Sequence, residues 1–271
     1  MTRFTLLLVA VAACSHHAPA AGPASSGTTP APAEAAAPAS AAAIDAAHAE
    51  AIVNAPDRDE RDRKRDAQRK PAQLLVFIGV APGMHAADLG AGGGYTSELV
   101  ARAVGPTGSM VAQDSPNWGG DWVPRVWNPR LASPAMANAK HVERVWGDPI
   151  PPEARDLDLV TSVASYHDVI AENEDPMQMN AAVFAALKHG GTYVVIDNSA
   201  KPGSGSDACK PLHRIDEQLV RAQVQQAGFK LAAESNFMRN PADTRDWNAD
   251  PDAKDPRVHT QDLFALKFVK P

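Results

Sequence analysis

The stretch Asp88-Leu89-Gly90-Ala91-Gly92-Gly93-Gly94-Tyr95 constrains this chain more than any other. It joins a short apolar run, 84–89, to a segment with helical character, 96–103, so it reads as strand, acid, glycine turn and helix start. Glycines let backbone N–H groups approach a ligand closely and adopt dihedrals that other residues avoid. The acid comes before the glycines, at the end of the strand. An anion there repels a pyrophosphate and attracts the cationic amino end of an amino-acid-like ligand. The dinucleotide fingerprint G-x-G-x-x-G fits poorly, because its third glycine falls on Tyr95 when counted from Gly90 and on Ser97 when counted from Gly92. A plain glycine turn is the remaining reading, and three alternating glycines behind an aspartate weigh against it.

The chain has 271 residues, but its first part does not read as globular. Met1-Thr2-Arg3 is a short basic start, and the apolar stretch 4–13 is too short to span a bilayer. It ends Val11-Ala12-Ala13-Cys14, similar to a lipobox, in which the cysteine is lipidated and becomes the new N-terminus. Residues 1–13 are therefore expected to be a lipoprotein signal peptide; an ordinary secretory peptide cut at an Ala-x-Ala site, with Cys14 incidental, is the alternative. Ser15 rather than Asp follows the cysteine, which in a Gram-negative host implies the periplasmic side of the outer membrane. Residues 14–43 are nearly all Ala, Pro, Ser, Gly and Thr and read as a tether reaching roughly 30 Å as a flexible coil. Residues 44–271 are ample for one α/β domain. The balance of 26 basic and 32 acidic residues gives −6, and −7 once Arg3 is lost with the signal. That balance argues against nucleic acid as the main partner. With Cys14 lipidated, Cys209 is a lone thiol and no internal disulfide forms.

Ile44, His48 and Ile52 mark one stripe of a first helix, ended by Pro56. In the charged run 57–66, Asp57 with Arg61, Asp59 with Arg63 and Glu60 with Lys64 are acid-before-base pairs at helical spacing, predicting a solvated helical face. Pro71 opens the next helix, with Leu74, Leu75 and Ile78 on its buried side. Strands are predicted at 84–90, 108–114, 142–146, 157–164, 192–196, 229–237 and 263–269, and helices at 173–189, stopped by Gly190-Gly191, and 212–227. The alternation predicts a Rossmann-like α/β fold: a seven-stranded, mostly parallel sheet with helices on both faces and an antiparallel hairpin at one edge.

The spacing D-x-G-x-G-x-G resembles motif I of the class I S-adenosylmethionine-dependent methyltransferases. In open α/β sheets, ligands sit beyond the carboxyl ends of the strands. There the resemblance implies Asp88, Gly90, Gly92 and Gly94 around the cofactor, Asp114 on its ribose hydroxyls and Asp148 on its adenine; for Asp148 a turn cap is an equal reading. The fourth strand ends Ala164-Ser165-Tyr166-His167-Asp168 and lacks the Asn/Asp-Pro-Pro-Tyr/Phe of enzymes that methylate amino groups of DNA or glutamine. His167 suits a general base, or else packs against the cofactor or caps the next segment. His213 is a second base candidate, three residues before Asp216, which is expected to cap a helix. Asp168, Asp197 and Asn198 resemble the oxygen ligands of metal-dependent catechol-type O-methyltransferases and would suit magnesium, whereas His167 would suit a transition metal better. Trp118, Trp122 and Trp127 fall in a Pro/Gly-rich segment, 115–130, which reads as an aromatic lid or as a loop anchored by its tryptophans.

Asp57-Arg58, Arg69-Lys70-Pro71, the glycine motif, His213-Arg214-Ile215-Asp216 and the terminal Phe268-Val269-Lys270-Pro271 together look like a bacterial group of exported proteins termed predicted methyltransferases. Asn198 departs from the histidine expected there in that group. Methyl transfer from S-adenosylmethionine to oxygen or nitrogen of a small molecule is the first function implied. A ligand-binding lipoprotein without catalysis is the second, and a metal-assisted hydrolase or lyase using the same strand ends is the third.

Overall fold

A computed structural model describes residues 42–118 and 122–271 of the chain. The expected signal peptide, Cys14 and nearly all of the tether lie outside the described residues.

The domain opens with short helices α1 (Ala46–Val53), α2 (Glu60–Arg63), α3 (Asp66–Arg69) and α4 (Pro71–Ile78). Asp45 caps α1 by accepting from the His48 N–H at 2.8 Å, and Pro71 opens α4 as expected. The charged run departs from a single solvated face. It breaks between α2 and α3, and its charges pair across the fold instead of along one helix. Arg58 is buried and grips Asp66 with both terminal nitrogens at 2.8 and 2.9 Å, Asp62 meets Arg130 at 2.9 Å, and Asp57 meets Arg102 at 2.9 Å. A bidentate partner in a partly dry site outweighs an exposed pair one helical turn away.

The sheet then builds through β1 (His85–Leu89), α5 (Tyr95–Val104), β2 (Ser109–Asp114), α6 (Trp122–Leu131), β3 (Ala139–Glu143), β4 (Leu157–Val163), α7 (Tyr166–Ala171), α8 (Pro176–Ala186), β5 (Leu187–Asn198), α9 (Cys209–Leu212), α10 (Glu217–Gln226), β6 (Lys230–Ser235) and β7 (Leu263–Val269). The strand order is β3-β2-β1-β4-β5-β7-β6. All pairs are parallel except β5 with β7 and β7 with β6. This is the seven-stranded, mostly parallel sheet with an antiparallel edge pair that the sequence predicts. Alternate residues along each strand enter two separate cores. Ala86, Val194, Ile196 and Ala265 pack on one face, and Ala87, Leu89, Tyr193, Val195, Phe264 and Leu266 on the other. Helices cover both, as a largely parallel sheet requires.

Several boundaries differ from those read in sequence. β3 runs from Ala139 to Glu143, earlier than 142–146, because its ladder is set by β2: Met110 pairs Ala139 and Asp114 pairs Glu143. Segment 122–131 is helical rather than irregular. α8 stops at Ala186, before the glycines, and Gly190-Gly191 turn the chain inside the start of β5. An added Cβ at Gly191 would meet the Leu157 and Lys188 carbonyl oxygens at 2.9 Å. Lys270 then closes α8, its Nζ donating to the Phe184 and Leu187 carbonyls at 2.7 and 2.6 Å.

The connection from β6 to β7 is long and irregular, and Arg214 pins it. Arg214 is fully buried, as is the carboxylate of Asp243 that it meets at 2.7 Å. It also donates to the Trp247 and Ser199 carbonyls at 3.0 Å, and its guanidinium lies over the Trp247 ring at 4.5 Å. Ser199 follows β5 directly, so this one side chain ties the connection to the end of the sheet where the candidate site lies. Arg214→Ala would strand the Asp243 carboxylate in the interior and should remove about 3–5 kcal/mol of stability. A urea unfolding curve measures this; an unchanged midpoint would show that the connection is held by other contacts.

Candidate functional site

β1 delivers Asp88 to the sheet's carboxyl edge, where the carboxylate is buried at 2 % exposure. Ser97 donates to one of its oxygens at 2.7 Å and Thr161 to the other at 2.6 Å. Burial raises the Asp88 pKa to about 6; the two hydroxyls and Arg69 pull the other way, and Asp114 adds to the rise. The turn that follows needs glycine for two different reasons. Gly90 has φ +63° and no room, since an added Cβ would sit 2.3 Å from the Ser165 Cβ. Gly92 has φ +57° and open space around it, the space a ligand would use. Gly94 ends the turn at φ +76° as the N-cap of α5, packed against Trp127 and Arg130.

The turn is wired into the end of β2. The Ala91 N–H donates to the Gln113 carbonyl at 3.0 Å, and the Gly92 N–H donates to Asp114 Oδ1 at 2.6 Å. The other Asp114 oxygen accepts from Trp127 Nε1 at 3.0 Å and lies 2.9 Å from His141 Nε2, while the Trp127 and His141 rings stack at 4.5 Å. Asp114 has no exposed surface. Asp148 is exposed and ion-paired with Arg144. Of the six residues expected around the cofactor, Asp88, Gly90 and Gly92 line the cavity described next, whereas Gly94, Asp114 and Asp148 do not.

That cavity has a volume of about 660 Å³, in the range of small-molecule sites. It lies beyond the carboxyl ends of β1, β4 and β5 and brings the glycine turn together with His167, Asp168, Asn198 and His213. Asp197 organises this second half. It is fully buried, and its carboxylate accepts from the His167 backbone N–H at 2.8 Å and the Asn198 N–H at 2.7 Å, with His167 Nδ1 2.8 Å away. His167 Nε2 is thereby aimed at the cavity, 3.3 Å from His213 Nδ1 and 3.3 Å from Asp168 Oδ1. Burial opposes charge on His167, but Asp197 and Asp168 overcome it and push the pKa up to about 9. Burial raises that of Asp168 to about 7, partly offset by His167. His213 is held below its usual value, first by burial and then by the neighbouring His167.

Asp168, Asp197 and Asn198 are thus not gathered as one set of metal ligands. Asp197 orients His167 from behind, and the atoms that converge belong to His167, Asp168 and His213. His213 does not begin a helix. It sits between α9 and α10 in the left-handed region, φ +49°, with its carbonyl held by Asn198 Nδ2 at 2.9 Å. Asp216 caps α10 by accepting from the Gln218 N–H at 2.9 Å. In the tryptophan segment, Trp118 lines the cavity, edge-on to Trp146 at 5.6 Å, and Trp127 is buried within a helix rather than in an irregular loop.

Several cavity residues escaped the sequence reading. Arg65 and Arg69 of the charged run lie over the Tyr95 ring at 5.6 and 5.2 Å and line the cavity beside the glycine turn. Asp250, His259 and Gln261 arrive on the β6–β7 connection. Only the local sign alternation around Arg65 offered a signal; the connection has no periodicity to read.

No family model matches the chain, and no curated protein matches it. Solved structures do. A SAM-dependent methyltransferase from Aquifex aeolicus aligns at TM-score 0.55 and 14 % identity, covering 84 % of this chain and 100 % of the other. A chain from the complex between the Haloferax volcanii Trm112 methyltransferase activator and its candidate methyltransferase aligns at TM-score 0.54 and 18 % identity, covering 79 % and 95 %. A candidate sarcosine dimethylglycine methyltransferase from Galdieria sulphuraria aligns at TM-score 0.54 and 15 % identity, covering 79 % and 89 %. The chain therefore has the fold of the class I SAM-dependent methyltransferases.

The glycine turn makes a graded prediction. Gly90→Ala should cost about 1–3 kcal/mol from overpacking in addition to the strain of its positive φ, whereas Gly92→Ala should cost only the strain, about 1–2 kcal/mol. Comparing the two unfolding free energies tests this, and equal losses would contradict the crowding at Gly90.

Proposed function

We propose that the protein is an S-adenosylmethionine-dependent methyltransferase acting on oxygen or nitrogen of a small molecule. One observation carries this reading: a single cavity on a methyltransferase fold joins the glycine turn and Asp88 to a pair of histidines. The walls of that cavity suit a zwitterion. Arg65 and Arg69 offer guanidinium groups to a carboxylate, and Asp88 offers an anion to an ammonium, within one pocket. The amino-acid end of the cofactor carries both charges.

Methyl transfer asks little covalent chemistry of the protein. The acceptor heteroatom bonds to the methyl carbon as the carbon–sulfur bond breaks, the sulfonium becomes a neutral thioether, and the acceptor loses its proton. Alignment supplies most of the rate. His213 lines the cavity and takes the proton, while His167, fixed by Asp197, positions the acceptor.

A specific observation favours a second reading, a binding module without turnover. Asp114 is fully buried and does not line the cavity, its oxygens held by Gly92, Trp127 and His141, which leaves ribose hydroxyls without their usual acid. Calorimetric titration separates the two readings: micromolar binding of S-adenosylmethionine, much tighter than that of methionine, supports a cofactor site, and equal affinities support a site for the amino-acid portion alone.

Asp88→Asn keeps the shape of the side chain and removes its charge. It should weaken S-adenosylmethionine about 10- to 100-fold, the equivalent of roughly 1.5–3 kcal/mol for a charge-assisted hydrogen bond. Because the Asp88 pKa is raised to about 6, the carboxylate gains its charge only as pH climbs through that value. Affinity should therefore rise from pH 5 to pH 7 and then level off, and the Asn variant should lose that rise. A native profile flat over this range would remove Asp88 from the site.

A further inference from the structure

We propose that His167 Nε2, His213 Nδ1 and an Asp168 carboxylate oxygen form a site for a four-coordinate divalent transition metal such as zinc, its fourth position open to the cavity. This set differs from the magnesium-type oxygen ligands suggested by the sequence, and it stands whether or not the cofactor is S-adenosylmethionine.

Donor geometry is the first argument. The inward atoms of the three side chains lie within 4.8 Å of one another. Their separations are 3.3 Å between the two imidazole nitrogens, 3.3 Å from His167 Nε2 to Asp168 Oδ1 and 3.7 Å from His213 Nδ1 to Asp168 Oδ1. Ligands about 2.0–2.2 Å from a tetrahedral ion are about 3.3–3.6 Å apart, whereas adjacent ligands of an octahedral ion at such distances are about 3 Å apart. The spacing fits the tetrahedron, and two imidazoles with one carboxylate are donors that zinc takes and magnesium does not favour.

The backs of both rings supply the second argument. His167 Nδ1 meets Asp197 Oδ1 at 2.8 Å, and His213 Nε2 stands 3.3 Å from Asp250 Oδ2. With a proton on each far nitrogen, the two inward nitrogens face each other across 3.3 Å, a contact that a shared proton or a metal ion can bridge. A carboxylate behind each metal-binding imidazole is the usual support of such a site. Among the described residues, the Asp168 carboxylate meets only these two rings.

Asn198 provides an independent observation. It is 3 % exposed and lines the same cavity, and its Nδ2 holds the His213 backbone in place while its Oδ1 has no hydrogen-bond partner. A buried carbonyl oxygen left without a donor is an acceptor that a bound group can satisfy. Water or an acceptor hydroxyl on the open metal position would do so, and a bound hydroxyl would lose its proton more readily there. That last role rests on the methyltransferase reading, where the metal would replace His213 as the group that lets the acceptor lose its proton; the metal site itself does not rest on it.

The test is metal binding, read without turnover. The full-length protein, stripped with a chelator, is titrated with cobalt(II) and then with zinc. One equivalent of cobalt should give the intense visible absorption of a four-coordinate ion, and zinc should abolish it stoichiometrically. His213 is partly exposed, so His213→Ala should fold normally by circular dichroism yet bind zinc at least 100-fold more weakly. Asp250→Asn, behind the ring, should weaken zinc about 10- to 100-fold. Only weak six-coordinate cobalt spectra, or a folded His213→Ala protein that binds zinc as tightly as the native chain, would overturn the site. Because S-adenosylmethionine titration is a separate readout, loss of either site is distinguishable from loss of the other.

Discussion

The buried carboxylate of Asp197 is the contact on which the candidate site depends. It lies at the end of β5 with no exposed surface, where an unpaired charge would be costly. It is satisfied by two backbone N–H groups, of His167 and Asn198, and by the His167 ring. Those bonds lock the turn after β4 to the end of β5, across the parallel pair that runs from Leu159 with Thr192 to Val163 with Ile196. The position and tilt of His167 follow from that lock, and so does the direction in which its second nitrogen points. A single charge thus converts strand register into side-chain aim.

Arg214 does comparable work for the outer wall. Its guanidinium fixes the β6–β7 connection to Ser199, one residue beyond Asn198. Asp250, His259 and Gln261 can line the cavity only because that connection is folded back over the sheet edge. Asp262 reinforces the tie, accepting from Arg239 and Arg245 while its own carbonyl receives the Ser199 N–H at 2.8 Å. The most irregular part of the chain is therefore placed by buried ionic contacts rather than by secondary structure.

The difference between what was legible in the sequence and what was not follows the range of the forces involved. β7 was readable to the residue, 263–269, because an apolar run with two phenylalanines and a single charge fits a buried strand. The glycine turn, the sheet class and the Pro71 and Asp216 starts are local signals of the same kind. β3 was displaced because its ends are set by a partner thirty residues earlier in the chain. The helix at 122–131 was hidden by its two prolines and by the glycines that precede it, and the pairing of Asp57 and Asp62 by partners on α5 and α6. The residues of the site divide in the same way. Asp88 and the glycines announce themselves, while the convergence of His167 with His213 depends on a left-handed residue between two helices, which no spacing rule reports.

Asp114 shows how the two halves of the cavity differ. The acid that ends β2 spends its oxygens on the glycine turn, on Trp127 and on His141. These contacts stiffen the turn, since Gly92 loses freedom when its N–H is held at 2.6 Å. They also keep the Asp114 carboxylate out of the cavity lining on the β1–β2 side. The polar atoms that converge lie on the other side, around β4 and β5: His167 Nε2, His213 Nδ1 and the Asp168 carboxylate, with the orphaned Oδ1 of Asn198 on a residue that lines the same cavity. On this distribution of donors and acceptors, β1 and β2 contribute a stiffened glycine cradle, and the ends of β4 and β5 contribute the titratable side chains that share its cavity.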